Sequence, residues 1–163
     1  MSDVGTGSNA QVDAVTGEAR GKYRGLKAAG RSALRDHLVA RAQAGRARHG
    51  PFPDVASLES LLADRDCVRF PTRVVFDEAA VPRGLFAVVE RDPGDETAFR
   101  VVVAASLAAR AADVPLMVAY HLPSVNYGRM PTADDAEVFG ATLLGLDQED
   151  YYRRLCALAD ARA

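Results

Sequence analysis

Apolar positions recur along this chain with a helical period, then a strand period, then a helical period again. Between residues 20 and 48, Tyr23, Leu26, Leu34, His37 and Leu38 fall on one stripe at helical spacing, and a helix is expected there despite Gly30 near its middle. The run His49-Gly50-Pro51-Phe52-Pro53 ends it, because proline disfavours a helical residue before it. A short helix over 56–64 follows, with Leu58, Leu61 and Leu62 on one face.

The period then changes. Residues 68–70, 73–76, 85–89 and 99–104 read as short strands rich in Val and Phe. Pro82 and Gly84 mark a turn over 79–84, and Asp92-Pro93-Gly94-Asp95 marks a tight one, so 85–104 is predicted as a hairpin. In the last third, Asp113 and Pro115 suit the start of a helix whose residues Leu116, Val118, Ala119, Tyr120 and Leu122 are apolar on most sides. That helix should be buried and should stop or kink at Pro123. Thr132-Ala133-Asp134-Asp135 has capping-box spacing for a second helix, with Ala136, Phe139, Leu143 and Leu146 on one face. Asp147-Gln148-Glu149-Asp150 opens a third, whose acidic start complements the helix dipole. Residues 1–19 show no apolar period and are expected to form a disordered tail, leaving 20–163 as a single domain.

Composition narrows the class. With 163 residues, 48% hydrophobic and 26% charged, the chain can bury a sizeable core without a metal or disulfide staple. Cys67 and Cys156 lie far apart in apolar surroundings, where free thiols are expected, an oxidised pair being the alternative. No stretch approaches the roughly 20 apolar residues that span a bilayer. Met1 to Gly21 lacks the basic and apolar regions of a signal peptide, so no membrane role and a cytoplasmic location are expected. Net charge is −2, split as +5 over residues 1–50 and −7 over 51–163. Nine Lys/Arg lie between Arg20 and Arg48, which fits either a solvated helix face or contact with a phosphate backbone. Tyr23 is the one Phe, Tyr or Trp in that run, so aromatic rings do not interleave with the arginines to stack successive bases.

Motif chemistry is sparse. There is no phosphate-binding glycine loop of either common type, no C-x-x-C pair for a thiolate zinc site, and no nucleophile elbow around Ser106 or Ser124. The clearest clue is an order of elements. A strand at 99–104 leads through Ser106-Leu107-Ala108 into the helix holding Ala119-Tyr120-His121-Leu122, then to Gly128 and a helix holding Glu137-Val138-Phe139-Gly140-Ala141-Thr142-Leu143-Leu144. About a third of the chain thereby resembles the zincin-like ImmA/IrrE family of metallopeptidases, whose helices read A-H-E-x-x-H and E-E-x-A-N-x-F-A-x-x-L-L. Ala119, Phe139, Leu143 and Leu144 keep the pattern. Tyr120 and Ser124 stand where the resemblance puts the zinc-binding histidines, and His121 where it puts the catalytic glutamate. Asp134 or Asp135 is left near the third ligand.

A zinc hydrolase needs about three protein ligands and an open fourth position, a demand this set does not meet. The resemblance therefore implies an α+β, zincin-like domain that has lost its metal: N-terminal helices, a small antiparallel or mixed sheet and three C-terminal helices. The expected function is non-catalytic capture of a protein or peptide in a cleft of Tyr120, His121, Ser124, Asn126, Asp134 and Asp135, where an extended segment pairs with the sheet edge. The resemblance implies a helix-turn-helix regulator as the kind of partner, and no cofactor is expected. Two other readings remain open. One is a metal-dependent peptidase or hydrolase using His121, Asp134 and Asp135, with zinc. The other is a nucleic-acid-associated protein using the basic helix, with Arg31, Arg35 and Arg41 as its test positions. A lone histidine in a buried helix is more commonly a hydrogen-bonded core residue than a ligand.

Overall fold

The computed structural model describes residues 8–163, with side chains described at Gly17 and from Ala19 onward. The described residues divide into two units, one ending at Asp36 and the other spanning His37–Ala163. Helix α1 spans Ser8–His49. It begins earlier than the apolar stripe predicts: residues 8–19 are helical rather than a tail, and residues 1–7 lie outside the described set. Alanine, glutamine and glutamate in that stretch are good helix formers, so an apolar period is not needed to wind it. In the first unit Tyr23 and Leu26 are 70% and 73% exposed, so the predicted stripe is not a buried face there.

In the second unit, Leu38 and Ala42 of α1 are fully buried. A 3-10 turn, Ala56–Leu58, runs into helix α2, Glu59–Ala63, burying Leu58, Leu61 and Leu62. Strands β1 (Thr72–Phe76), β2 (Ala87–Asp92) and β3 (Asp95–Val103) form one mixed sheet in the order β1-β3-β2. β2 and β3 make the predicted hairpin, while β1 runs parallel to β3 with Thr72 opposite Phe99 and Phe76 opposite Val103. β3 is the central strand, and Val101, Val102 and Val103 are fully buried. That burial on successive residues, on both faces of the strand, is why the segment reads as a continuous apolar run.

Helices α3 (Val114–Tyr127), α4 (Ala133–Leu144) and α5 (Gln148–Asp160) complete an α+β fold, with α3 the most buried. α4 starts with the capping box that Thr132 and Asp135 predict, and Asp147 caps α5 by accepting from Glu149 and Asp150. Gly140 of α4 lies against the Tyr151 ring of α5, where a Cβ would overlap the phenol. The Tyr151 hydroxyl in turn donates to the Leu116 carbonyl of α3 at 2.7 Å. α4 closes in a left-handed glycine, Gly145 at φ 67, with Leu146 N–H donating back to Ala141.

Three local expectations are corrected. Residues 68–70 form a bend, not a strand, because their region's backbone donors are used elsewhere: Cys67 and Val68 donate to Asp64, and Arg69 donates to the Asn126 side chain. The strand expected over 85–89 begins at Ala87, since Leu85 is held in a turn by Pro82. α3 continues through Pro123 to Tyr127. Interior proline costs about 3 kcal/mol or more. Beyond it, however, the helix buries Val125 and places Asn126 to accept from Arg69 and donate to Cys67, which offsets that loss.

Candidate functional site

The residues expected to line a cleft occupy separate structural roles. Tyr120 and His121 pack with Phe86 in an aromatic cluster, with ring centroids 5.3–5.7 Å apart. His121 Nε2 is buried without a hydrogen-bond partner, while the backbone of Ala87 hydrogen-bonds the ring. Burial disfavours the imidazolium and lowers the ring's pKa to about 4. Ser124 is exposed. Asn126 is buried and ties α3 to the 67–69 bend, both through its side chain and through its carbonyl, which accepts from Arg69 at 3.2 Å. Asp135 is a buried cap residue that accepts from the Thr132 N–H at 2.9 Å. Asp134 accepts from Gln148 at the start of α5. His121, Asp134 and Asp135 do not converge on a common ligating point.

The basic helix is likewise not one uniform face. Arg31 is exposed, but Arg41 stacks 5.7 Å over the Tyr127 ring and buries its Nη1.

The groove of the second unit lies instead beside strand β1. A cavity of about 530 Å³ runs between α2 and the sheet. It is lined by Leu62, Ala63 and Arg65 from the α2 segment and by Thr72, Val74 and Phe99 from the sheet. Arg65 is not available as a free cation, because its guanidinium donates to the Leu62 and Val68 carbonyls at 3.0 Å. Arg73 donates to Asp92 at 2.5 Å, bridging from β1 to the far strand of the sheet. The lining is therefore mainly apolar; of its charged groups Arg73 and Asp92 pair with each other, Arg65 is engaged by backbone carbonyls, and Glu59 is exposed.

The edge of β1 is open along this groove. Phe99 N–H donates to Pro71, and Asp77 N–H donates to Val103. Bonds in a parallel ladder fall on alternate residues, so Pro71, Arg73, Val75 and Asp77 face β3. The N–H and C=O groups of Thr72, Val74 and Phe76 then point away from the sheet, and among the described residues no backbone group pairs with them. Phe76 is also 40% exposed.

Donors suited to a metal come together elsewhere. Among the described residues they do so at His49, Asp64 and Cys67, whose ligating atoms lie within 4.8 Å of one another. His49 Nε2 is 2.8 Å from Asp64 Oδ2, and Cys67 Sγ is 3.5 Å from the same oxygen. The hydrogen bond from His49 is the largest cause holding the Asp64 carboxyl well below the usual carboxylate range. Burial, followed by the neighbouring carboxylate, raises the thiol of Cys67. Cys67 and Cys156 are both free. Periodicity and paired-cysteine spacing pass over this cluster, because its members lie on a helix end and a turn and include one cysteine. The D-x-x-C spacing of Asp64 and Cys67 just after a short helix is the trace it leaves in sequence.

No family model, curated protein or solved structure matches this chain. Among the described residues, no helix is long and apolar enough to cross a membrane.

Proposed function

We propose that this protein is a non-catalytic peptide-binding domain that captures an extended apolar segment by adding it as a fourth strand outside β1. The single observation that carries the reading is the open edge at Thr72, Val74 and Phe76, of which Thr72 and Val74 line the apolar groove. Strand addition draws affinity from main-chain hydrogen bonds and specificity from pockets for alternate side chains. Both elements are present: outward backbone groups at two-residue spacing, and a cavity able to take one or two apolar side chains of the guest. The mainly apolar lining favours an apolar guest, and the exposed Glu59 carboxylate beside it disfavours an acidic one.

The scaffold resemblance belongs to the same proposal. Its support is the order of β3, the buried α3 and then α4, with Tyr120 and Ser124 at the two histidine-ligand positions of the resembled helix and His121 at that of its glutamate. Peptide capture at a sheet edge is retained from that reading, with the groove at β1 replacing the cleft expected beside α3.

The test is a library of octapeptides with alternating apolar residues, measured against the protein and against Val74→Pro. The Val74 N–H faces outward, so proline there removes a donor to the guest without removing one from the β1–β3 ladder. Bound peptide should slow amide exchange at Thr72, Val74 and Phe76, and Val74→Pro should abolish binding. Peptides retained equally by Val74→Pro, or bound without protection of those amides, would refute strand addition.

A further inference from the structure

We infer that His49, Asp64 and Cys67 form a binding site for one divalent cation of the zinc class, which clamps the C-terminal turn of α1 to the 64–67 turn. The donor set is an imidazole nitrogen, a carboxylate oxygen and a sulfur, which suits zinc, cobalt or nickel and does not suit magnesium or calcium. The spacing suits it as well. Tetrahedral zinc with bonds of about 2.0 Å to N or O and about 2.3 Å to S sets its donors roughly 3.3–3.5 Å apart. The Sγ to Oδ2 distance of 3.5 Å already matches, and the Nε2 to Oδ2 distance of 2.8 Å needs to open by about half an ångström.

The turn holds these donors in place before any ion arrives. Cys67 and Val68 N–H groups both donate to the Asp64 carbonyl, at 3.0 and 2.8 Å. Asp66 N–H donates to Asp64 Oδ1, which leaves Oδ2 directed at the imidazole and the thiol. The order of the groups argues against a nucleophilic triad. The carboxylate sits between the ring and the thiol, whereas activation of a thiol needs the imidazole in that middle place. A dication binding here displaces one proton from the Cys67 thiol and takes Nε2 of a neutral His49 ring whose proton has moved from Nε2 to Nδ1, so one proton is released in all; its two charges balance those of the thiolate and the Asp64 carboxylate. The fourth tetrahedral position is left for solvent.

Arg48 is the built-in competitor. Its Nη1 lies 3.3 Å from Asp64 Oδ2 and 3.3 Å from Asp66 Oδ2. A cation on Asp64 requires the guanidinium to turn wholly to Asp66. Removing that competition should tighten metal binding, whereas a merely structural ion pair predicts no such gain.

Cobalt(II) titration of the full chain tests the assignment. One equivalent should give a thiolate-to-cobalt charge-transfer band in the near ultraviolet and release one proton. Cys67→Ser and His49→Ala should each lose the band, and Cys156→Ser should keep it. Arg48→Gln should bind cobalt about two- to fivefold more tightly, the weight of an exposed ion pair. Absence of the band at one equivalent, its persistence in Cys67→Ser, or its loss in Cys156→Ser would overturn the site. Should Cys67→Ser fail to fold, the proton release and the Arg48→Gln gain decide the matter on folded protein. None of these readouts involves peptide, so they stand or fall apart from the groove.

Discussion

Arg162 shows how much one side chain can hold. It is buried near the C-terminus, where its guanidinium donates to Val81 and Pro82 carbonyls at 3.1 and 2.9 Å and to that of Leu85. It also pairs with Glu78 at 2.7 Å. Truncation strands those carbonyls in the interior, so Arg162→Ala should cost about 2–4 kcal/mol in denaturant unfolding. The partner carboxylate responds to pH. The Arg162 hydrogen bond is the largest cause, ahead of the Ser106 N–H, that lowers the Glu78 pKa to about 2. A depressed carboxylate contributes stability that is present above its unfolded value of roughly 4.3 and lost as pH falls toward 2.

His121 adds acid sensitivity in a higher window. Folded, it resists protonation until pH is about 4, while the unfolded ring takes its proton near pH 6.5. The unfolded state therefore binds more protons between those values, and stability falls as pH drops from 6.5 to 4, by at most about 3 kcal/mol. In urea titrations His121→Asn should flatten that segment of the profile; an unchanged slope would mean the ring is accessible to protons in the native state. Gly140 is decided by a contest of magnitudes. Alanine gains up to about 1 kcal/mol of helix propensity. Overlap with the Tyr151 ring costs typically 1–3 kcal/mol and should win. Gly140→Ala is expected to lower the thermal midpoint.

Among the elements, α4 is the one most fully legible in the chain. Thr132 and Asp135 satisfy each other's backbone donors, and the apolar spacing behind them sets the buried face. Thr132→Ala should cost about 1 kcal/mol. The hairpin of β2 and β3 was equally readable from Asp92-Pro93-Gly94-Asp95. Two features were not, for a shared reason. Residues 68–70 have strand composition, and Pro123 is a helix breaker, yet Asn126 overrides both preferences by joining the two segments across 57 residues of sequence. A local window contains no trace of that contact. The same blindness applies to the site: His121, Asp134 and Asp135 are of the right chemical types, but packing with Phe86, a side-chain bond from Gln148 and the α4 capping box engage them individually. The open edge of β1 depends on which strand lies beside which, and hydrophobic period does not report that order.

For the molecule as a whole, the second unit carries the buried core and both candidate sites, and the first presents exposed Tyr23 and Leu26. The 64–67 turn that gathers His49, Asp64 and Cys67 follows directly on Leu62 and Ala63 and includes Arg65, all of which line the groove. The cation clamp and the groove wall are thus consecutive stretches of one short segment. Zinc at one equivalent should therefore slow amide exchange across residues 62–68 before any peptide is added, and unchanged exchange there would separate the two sites.

The unpaired row on β1 has a cost as well as a use. A short apolar strand with free amides and carbonyls offers itself to any extended chain, including another copy of itself. Concentrated solutions should show reversible association by sedimentation, weakened by Val74→Pro and by a saturating octapeptide. Association through that border should therefore rise with protein concentration and reverse on dilution.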